Sequence, residues 1–404
     1  MKCILFIADA VRPDYLGCYG DTAANTPAID YLASHGVRFE TAITAAPWTA
    51  PSTASLISGL DAYRHRIFTW NQGFPEDVYT LFHAFAEHSH VVGSFVFDQD
   101  LLFNQMPFAN VQGDSHRFNQ VCQWLDHNAD RDFFLYVHSW ATHMPTHVHH
   151  ADGDKWKTAK QGYIELLQTG EQAAVTASQA SYRRAIEDAS ANQVGELINV
   201  LQDRSILDET LFIFLSDHGE SWGERYQDKQ KIQGLHSLHG HFLYDETLKV
   251  PLILHWPAYL PPSRLVTHQV RLVDLVPTIL DLAGIPWPEF SWQPDGASLR
   301  TLIDGRPKMD LPALSATSEL GQLSRISLRT PLYKYIFTLG NRDAEMYSLK
   351  QDPGEQHNLL SQYPLIARQM QAHIDSLLTS SPHYDLAPEE KATLIDQMTK
   401  LGYL

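Results

Sequence analysis

Cysteine is scarce in this chain of 404 residues: Cys3, Cys18 and Cys122 are the whole supply. An odd, sparse set without metal-ligand spacing speaks against a disulfide framework or a thiolate zinc centre. It implies a reducing compartment, so the expected location is cytoplasmic. Positive charge is short as well. Lys and Arg number 30 against 47 Asp and Glu, a formal net charge of −17. Nucleic acid is a poor partner for such a surface, because a phosphate backbone demands Lys and Arg. A small anionic substrate remains compatible, since a bound metal reverses the local field. No apolar run is long enough to cross a membrane. The apolar start of the chain meets a charge at Asp9, too early for a signal peptide. Internal repeats and low-complexity tracts are also missing.

What is present is ordinary for a globular enzyme: 44% hydrophobic and 19% charged residues, in a chain long enough for one large core and a smaller domain. Cys3 to Ala8 is a continuous apolar run that predicts a buried parallel strand delivering Asp9 at its carboxyl edge. Val91 to Phe97, Phe133 to His138, Leu211 to Leu215 and Val250 to His255 predict further buried strands, and Thr26 to Gly36 a helix. Residues 147–180 read as a polar surface excursion leading into a helix from Ser181 to Gln202. Past Gly305, four short strand patterns between Ala313 and Ser348 and a helix from about Tyr363 to Leu378 predict a small antiparallel sheet with a helix packed on it. The expectation is an α/β catalytic domain over 1–310, built on a large mixed, mainly parallel sheet sandwiched by helices, and an α+β subdomain over 311–404.

Ligands gather at the carboxyl ends of strands in open α/β sheets, and the ionisable residues fall there. Asp9 ends the first strand and Asp217 with His218 follows Leu211 to Leu215. Between them in sequence, Pro47 to Gly59 reads as a loop turning into a helix, with Pro51 suited to its first turn. Ala54, Ile57 and Leu60 are spaced to face a core. A hydroxyl just ahead of such a helix, Thr49, sits near unpaired N–H groups and the positive end of the dipole, an anion site. Asp9, Asp217, His218 and the Thr49 oxygen together suit one divalent ion. A mixed Asp and His set favours Mn²⁺ or Zn²⁺, and Ca²⁺ fits it less well.

The stretch Pro47 to Gly59 resembles the sulfatase signature C-x-P-S-R-x-x-L-x-T-G, from a branch of the alkaline phosphatase superfamily. Thr49 takes the place of the Cys that becomes formylglycine. Pro51, Ser52 and Leu56 match, and Thr53 replaces the Arg. The likeness extends along most of the chain: Ile7 to Gly20 resembles the first strand and metal loop, and Ser216 to Glu220 the second metal loop. His239 to Glu246 with Val250 to Leu252, Val273 to Leu280, Tyr333 to Ile336, and Tyr347 to Glu355 resemble later landmarks. The resemblance implies an alkaline phosphatase-like fold. It also implies that His143 and His239 contact the substrate or leaving group, with His241 as a neighbour able to substitute. His138, on an apolar strand, reads as a packed core histidine, and His147, His149 and His150 as residues of a mobile solvent loop.

Three departures carry information. Thr49 cannot become formylglycine, Ala10 stands where the family places a second Asp, and His218 where it often has Asn. A formylglycine hydrate expels sulfate through its second hydroxyl; a threonine sulfate has no such exit, whereas a phosphothreonine can be hydrolysed at phosphorus. The resemblance therefore points to the phosphodiesterase and phosphonate monoester hydrolase members. The expected activity is hydrolysis of a small anionic ester through a covalent phosphothreonine. A phosphoryl-group transferase and a sulfate-ester hydrolase working without formylglycine are the alternatives. No nucleic acid or membrane partner is expected, and a homo-oligomer stays open. Trp48, Trp70, Phe74 and Trp140 lie near the proposed site in sequence and suit either an aromatic wall or the core.

Overall fold

The computed structural model describes residues 1–69, 72–75, 77–96, 111–114, 117–144, 171–222, 239–288, 293–306, 309–319, 321–340 and 342–380, with residue 224 and a few single positions between 155 and 165. Trp70, His147, His149, His150 and residues 381–404 lie outside the described residues.

Strand β1 (Lys2–Ala8) is buried from Cys3 onward without alternation, the mark of a strand covered on both faces. It lies inside an eight-stranded sheet of order β4-β3-β5-β1-β6-β7-β2-β8. The other strands are β2 (Val37–Ile43), β3 (Val91–Val96), β4 (Val111–Asp114), β5 (Phe133–Ser139), β6 (Thr210–Leu215), β7 (Lys249–His255) and β8 (Arg264–Arg271). β1 pairs parallel with β5 and with β6. β7 alone runs against the rest, antiparallel to both β6 and β2. The sheet is thus mixed and mainly parallel, as the sequence implies. β2 and β8 were not expected; Arg38, Glu40 and Thr41 interrupt Val37–Ile43, and Thr267, His268 and Gln269 interrupt Arg264–Arg271, so neither shows the apolar run that marks the inner strands.

The two faces of the sheet build two cores, and residue parity decides which side chain enters which. Cys3, Leu5 and Ile7 of β1, Phe134 and Tyr136 of β5, and Leu211, Ile213 and Leu215 of β6 share one face. Against it pack α2 (Thr49–Ser58), α3 (Leu81–Glu87) and α7 (Leu275–Ala283). The even residues Ile4 and Phe6, with Leu135 and Phe212, face α1 (Pro27–Ser34), α4 (Phe118–Asn128), α5 (Gln172–Ala189) and α6 (Gly195–Asp203). Each large apolar side chain so enclosed is worth about 1.5–3 kcal/mol. α5 begins at Gln172, earlier than the expected Ser181, because Ala174 and Ser178 continue the buried stripe that Tyr182 and Ile186 carry. A single π turn, Ser190–Val194, joins it to α6.

Helix α2 is buried at all ten positions although half of them are Ser or Thr. Buried hydroxyls cost free energy unless bonded, and several here are. Ser52 Oγ donates to the Asp217 carbonyl at 2.6 Å, Ser58 Oγ to the Ala54 carbonyl at 2.6 Å, and Ser55 Oγ lies 2.9 Å from His65 Nε2. The helix stops at Gly59, whose φ of 72° is left-handed. A Cβ there would also meet Pro294 Cβ at 2.9 Å, so glycine is required twice over.

The second sheet is antiparallel, in the order β12-β11-β10-β9, formed by β9 (Ala313–Glu319), β10 (Gln322–Arg329), β11 (Tyr333–Thr338) and β12 (Ala344–Ser348). Ile326, Leu328, Tyr335 and Met346 pack with Ala367, Met370 and Ile374 of α8 (Pro364–Ser380). β9 is tied to the loop before Thr49: Ala316 N donates to the Ala45 carbonyl at 2.8 Å and Ser315 Oγ to the Thr44 carbonyl at 2.6 Å. Among the described residues no helix is long and apolar enough to cross a membrane.

Candidate active site

Parity also builds the site. Asp9 continues the row Cys3-Leu5-Ile7, and Asp217 continues Leu211-Ile213-Leu215 on the neighbouring strand, so both carboxylates emerge on one face at the carboxyl edge. α2 lies on that same face, with Thr49 at its first turn. Thr49 Oγ1 is 3.3 Å from Asp9 Oδ2 and 3.2 Å from His218 Nε2. The structure thus brings Asp9, Thr49, Asp217 and His218 together, all buried.

Each group is held for a purpose that its contacts reveal. Asp217 Oδ1 accepts from Ala10 N at 3.2 Å and His218 N at 3.0 Å, which leaves Oδ2 turned inward. His218 Nδ1 lies 2.8 Å from the Gly219 carbonyl. A carbonyl only accepts, so Nδ1 carries the proton and Nε2 presents its lone pair to the centre. His218 Nε2 is 3.6 Å from both Asp9 Oδ1 and Asp217 Oδ2. Ala10 sits in the left-handed region at φ 59°, with its carbonyl accepting from Tyr182 Oη at 2.6 Å. That strained turn aims Asp9 without adding a second acid.

His138, expected to be a packed core residue, is buried but belongs here. Its Nε2 lies 3.2 Å from Asp9 Oδ2 and 3.5 Å from Asp217 Oδ2. Phe134, Tyr136 and His138 are one row of β5, so parity was the signal that could have found it.

The residues fit a divalent ion. Asp9, Asp217 and His218 each offer one ligand atom, all within 4.8 Å of one another. Asp9 Oδ1 and Asp217 Oδ2 are buried without a well-formed hydrogen bond among the described residues, a costly condition that a cation removes. Donors about 2.0–2.1 Å from a common ion stand about 3.3–3.4 Å apart in a tetrahedron, close to the separations observed. In the protein alone, burial pushes the Asp9 carboxyl up to about 6, with the Asp217 charge adding to it. Burial acts the same way on Asp217, yet His218 and His138 outweigh it and hold that carboxyl well below its ordinary value. Burial disfavours a charged imidazole, but Asp217 and Asp9 push His138 up to about 9 and raise His218 too. The carboxylates thus demand positive charge between them.

A row of rings leads away from this centre. His218 and His239 have centroids 4.4 Å apart, His239 meets His143 edge to face at 5.2 Å, and His143 stacks on Trp140 at 4.3 Å. Glu220 is a partner that no spacing in the chain marks: His239 Nδ1 lies 3.1 and 3.2 Å from its two carboxylate oxygens. The loop bearing His239 is pinned beside Thr49, with Gly240 N donating to the Pro47 carbonyl at 2.9 Å. Gly240 has φ 93°, another left-handed turn. His241 is half-buried, and its carbonyl accepts from Arg325 Nη1 of the small sheet at 2.7 Å. Of the candidate aromatics, Phe74 packs toward the core against His65, whereas Trp140 backs the histidine row.

Comparison with known proteins follows the same lines. The family model described as Sulfatase matches residues 2–285, and the one described as N-sulphoglucosamine sulphohydrolase, C-terminal, matches residues 234–380. The ulvan-active sulfatase of Formosa agariphila is 25% identical, over 89% of this chain and 75% of its own. Human arylsulfatase A is 23% identical, over 88% and 83%. The crystal structure of a phosphonate monoester hydrolase of Agrobacterium radiobacter superposes with a TM-score of 0.73 at 18% identity, covering 96% of this chain and 98% of that one. The last likeness is one of fold.

Proposed function

This chain belongs to the sulfatase family, and from that premise we propose that it is a hydrolase of phosphodiesters or phosphonate monoesters with Thr49 as its nucleophile. One observation carries the reading. A threonine, which cannot be converted to formylglycine, places its Oγ1 3.2–3.3 Å from His218 Nε2 and Asp9 Oδ2, at the start of a buried helix.

Asp9, Asp217, His218 and Thr49 would hold one divalent ion, Mn²⁺ or Zn²⁺. When bound, such an ion supplies charge that lowers the pKa of the threonine hydroxyl and polarises the ester. Thr49 Oγ1 forms a bond to phosphorus as the bond from phosphorus to the leaving oxygen breaks. The positive end of α2 and the histidine row stabilise charge on the non-bridging oxygens. His239 has Nδ1 against Glu220, so Nδ1–H donates to the carboxylate and Nε2 is the nitrogen that manages the leaving group's proton. His143, held flat on Trp140, sits beside it for the same anion. Water then attacks phosphorus and returns the Thr49 hydroxyl.

A second reading, hydrolysis of sulfate esters without formylglycine, is favoured by the names of the relatives, which are mostly sulfatases. Turnover of matched aryl phosphodiester, phosphonate monoester, phosphomonoester and sulfate substrates, with the bound metal first identified and restored, separates the two. Preference for the diester or phosphonate is expected. Preference for sulfate would replace the first reading with the second.

A further inference from the structure

We infer that His138 is itself a ligand of the divalent ion, entering from β5, so that two imidazoles rather than one hold the centre. The inference rests on the reading that this site binds a metal, and it is independent of which ester is cleaved.

Three observations converge on it. First, β5 is hydrogen-bonded to β1 in register, with Ile7 opposite His138, and both rows face α2. The ring therefore reaches the centre from a third strand, on the side of Asp9 away from Asp217. Second, His138 Nε2 stands 3.2 Å from Asp9 Oδ2 and 3.5 Å from Asp217 Oδ2. His218 Nε2 stands 3.6 Å from the same two carboxylates. His138 thus meets Asp9 through Oδ2 and His218 meets it through Oδ1, while both face Asp217 Oδ2, and each of these separations is near that of two donors on one ion. Third, the ring is held in place from behind: Nδ1 lies 3.4 Å from the buried Tyr136 Oη. An outer hydrogen bond of that kind fixes the orientation of a ligating histidine.

Nε2 is fully enclosed and has no well-formed hydrogen bond among the described residues. A nitrogen lone pair facing two carboxylates is repulsive unless a cation lies between them. A proton on His138 would answer the two acids but not the lone pair of His218, whereas an ion among them would answer both rings and both acids. The neighbouring Ala10 has no donor in its side chain, so β1 contributes a single acid and space at the centre is left to β5.

The number of imidazoles per ion is read directly by X-ray absorption on the Co²⁺- or Zn²⁺-loaded full chain, together with the visible spectrum of the Co²⁺ form. Two imidazoles are expected in the wild type. In His138→Ala and His138→Gln, one imidazole is expected, with a changed Co²⁺ spectrum and ion affinity at least about tenfold weaker in chelator competition. A single imidazole in the wild type overturns the inference while leaving the metal reading intact, and needs no variant to fold. An unchanged Co²⁺ spectrum and affinity in either variant overturns it as well. A wild-type protein that takes up no ion overturns the metal reading and this inference together.

Discussion

Two buried clusters of charge in this molecule have nearly the same composition and opposite purposes. At the edge of the large sheet, Asp9 and Asp217 face His138 and His218. Between the two sheets, Asp245 and Glu355 face Arg329 and Lys334. In the second cluster the acids meet permanent cations. Arg329 donates from Nε and Nη2 to the two oxygens of Asp245 at 2.9 and 2.7 Å. Lys334 Nζ lies 2.5 Å from Asp245 Oδ1 and 2.9 Å from Glu355 Oε1, and Glu355 Oε2 accepts from Asp245 N at 2.7 Å. Arg329 also reaches Gln269. Each acid of this cluster has a permanent cation at ion-pair distance. In the first cluster the positive partners are imidazoles, which can surrender a proton and offer a lone pair instead. Asp9 Oδ1 and Asp217 Oδ2 lack a well-formed hydrogen bond among the described residues; Glu355 Oε1 of the other cluster does too, but it has the Lys334 ammonium beside it. Burial and charge alone do not mark a site; what marks it is a cation that can be exchanged.

Substitutions at the two clusters should therefore fail differently. The largest effect is expected from Thr49→Ala: kcat falls by at least about 10⁴-fold, while the thermal midpoint holds and Asp9, Asp217 and His218 still take up the ion. Activity that survives would remove Thr49 from its role. Asp245→Asn should cost about 3–5 kcal/mol of stability, because it removes the carboxylate shared by two buried cations and leaves Arg329 without a charged partner in the cluster. Denaturant unfolding measures this, and metal affinity of the folded protein should be untouched; a weaker ion would mean that the clusters are coupled. Glu220→Gln should lower kcat by about 10²-fold through misplacement of His239, with metal content and KM little changed. Equal losses in kcat and metal would make Glu220 a support of the metal loop instead.

The smallest effect is a pH slope with a defined sign. Burial, opposed by Lys334 and aided by Asp245, pushes Glu355 up to about 7 from its ordinary 4.5. A raised carboxyl favours the folded state fully below about pH 4.5, and that contribution is lost as pH rises through about 7. The midpoint of the wild type relative to Glu355→Gln should thus decline between pH 5 and 7 and level off above. Asp245 has the opposite sign: burial raises it, but Lys334 and Arg329 hold it well below its ordinary value, so its contribution is lost only in acid. A flat difference across pH 5–7 would show Glu355 ionised throughout that range in the folded protein.

Much of this was legible in the residues themselves. Cys3 to Ala8 and Leu211 to Leu215 announce inner strands because both faces need apolar cover, and an acid after each run marks the ligand edge. β2 and β8 were hidden because one side of each carries polar residues. The placement of Thr49 beside Asp9 and His218 was legible through its motif. Glu220 and His239 are 19 residues apart in sequence, and no periodicity predicts that the intervening loop returns one to the other. His138 was visible in principle, since it follows Phe134 and Tyr136 at the strand period, but a histidine in an apolar run reads first as packing.

The parallel arrangement of β5, β1 and β6 has a consequence in time. Asp9 and Asp217 are joined by a hydrogen bond through Ala10 that spans 207 positions of the chain, and no local turn can bring them together. Sheets of such long-range pairing form slowly and late, after the entropy of closing large loops has been overcome. With the proposed ligands on separate strands, a collapsed but unpaired chain offers the ion no site. Metal uptake during refolding should thus trail the recovery of helical signal and coincide with docking of the central strands, making the ion a clock for the last step of assembly.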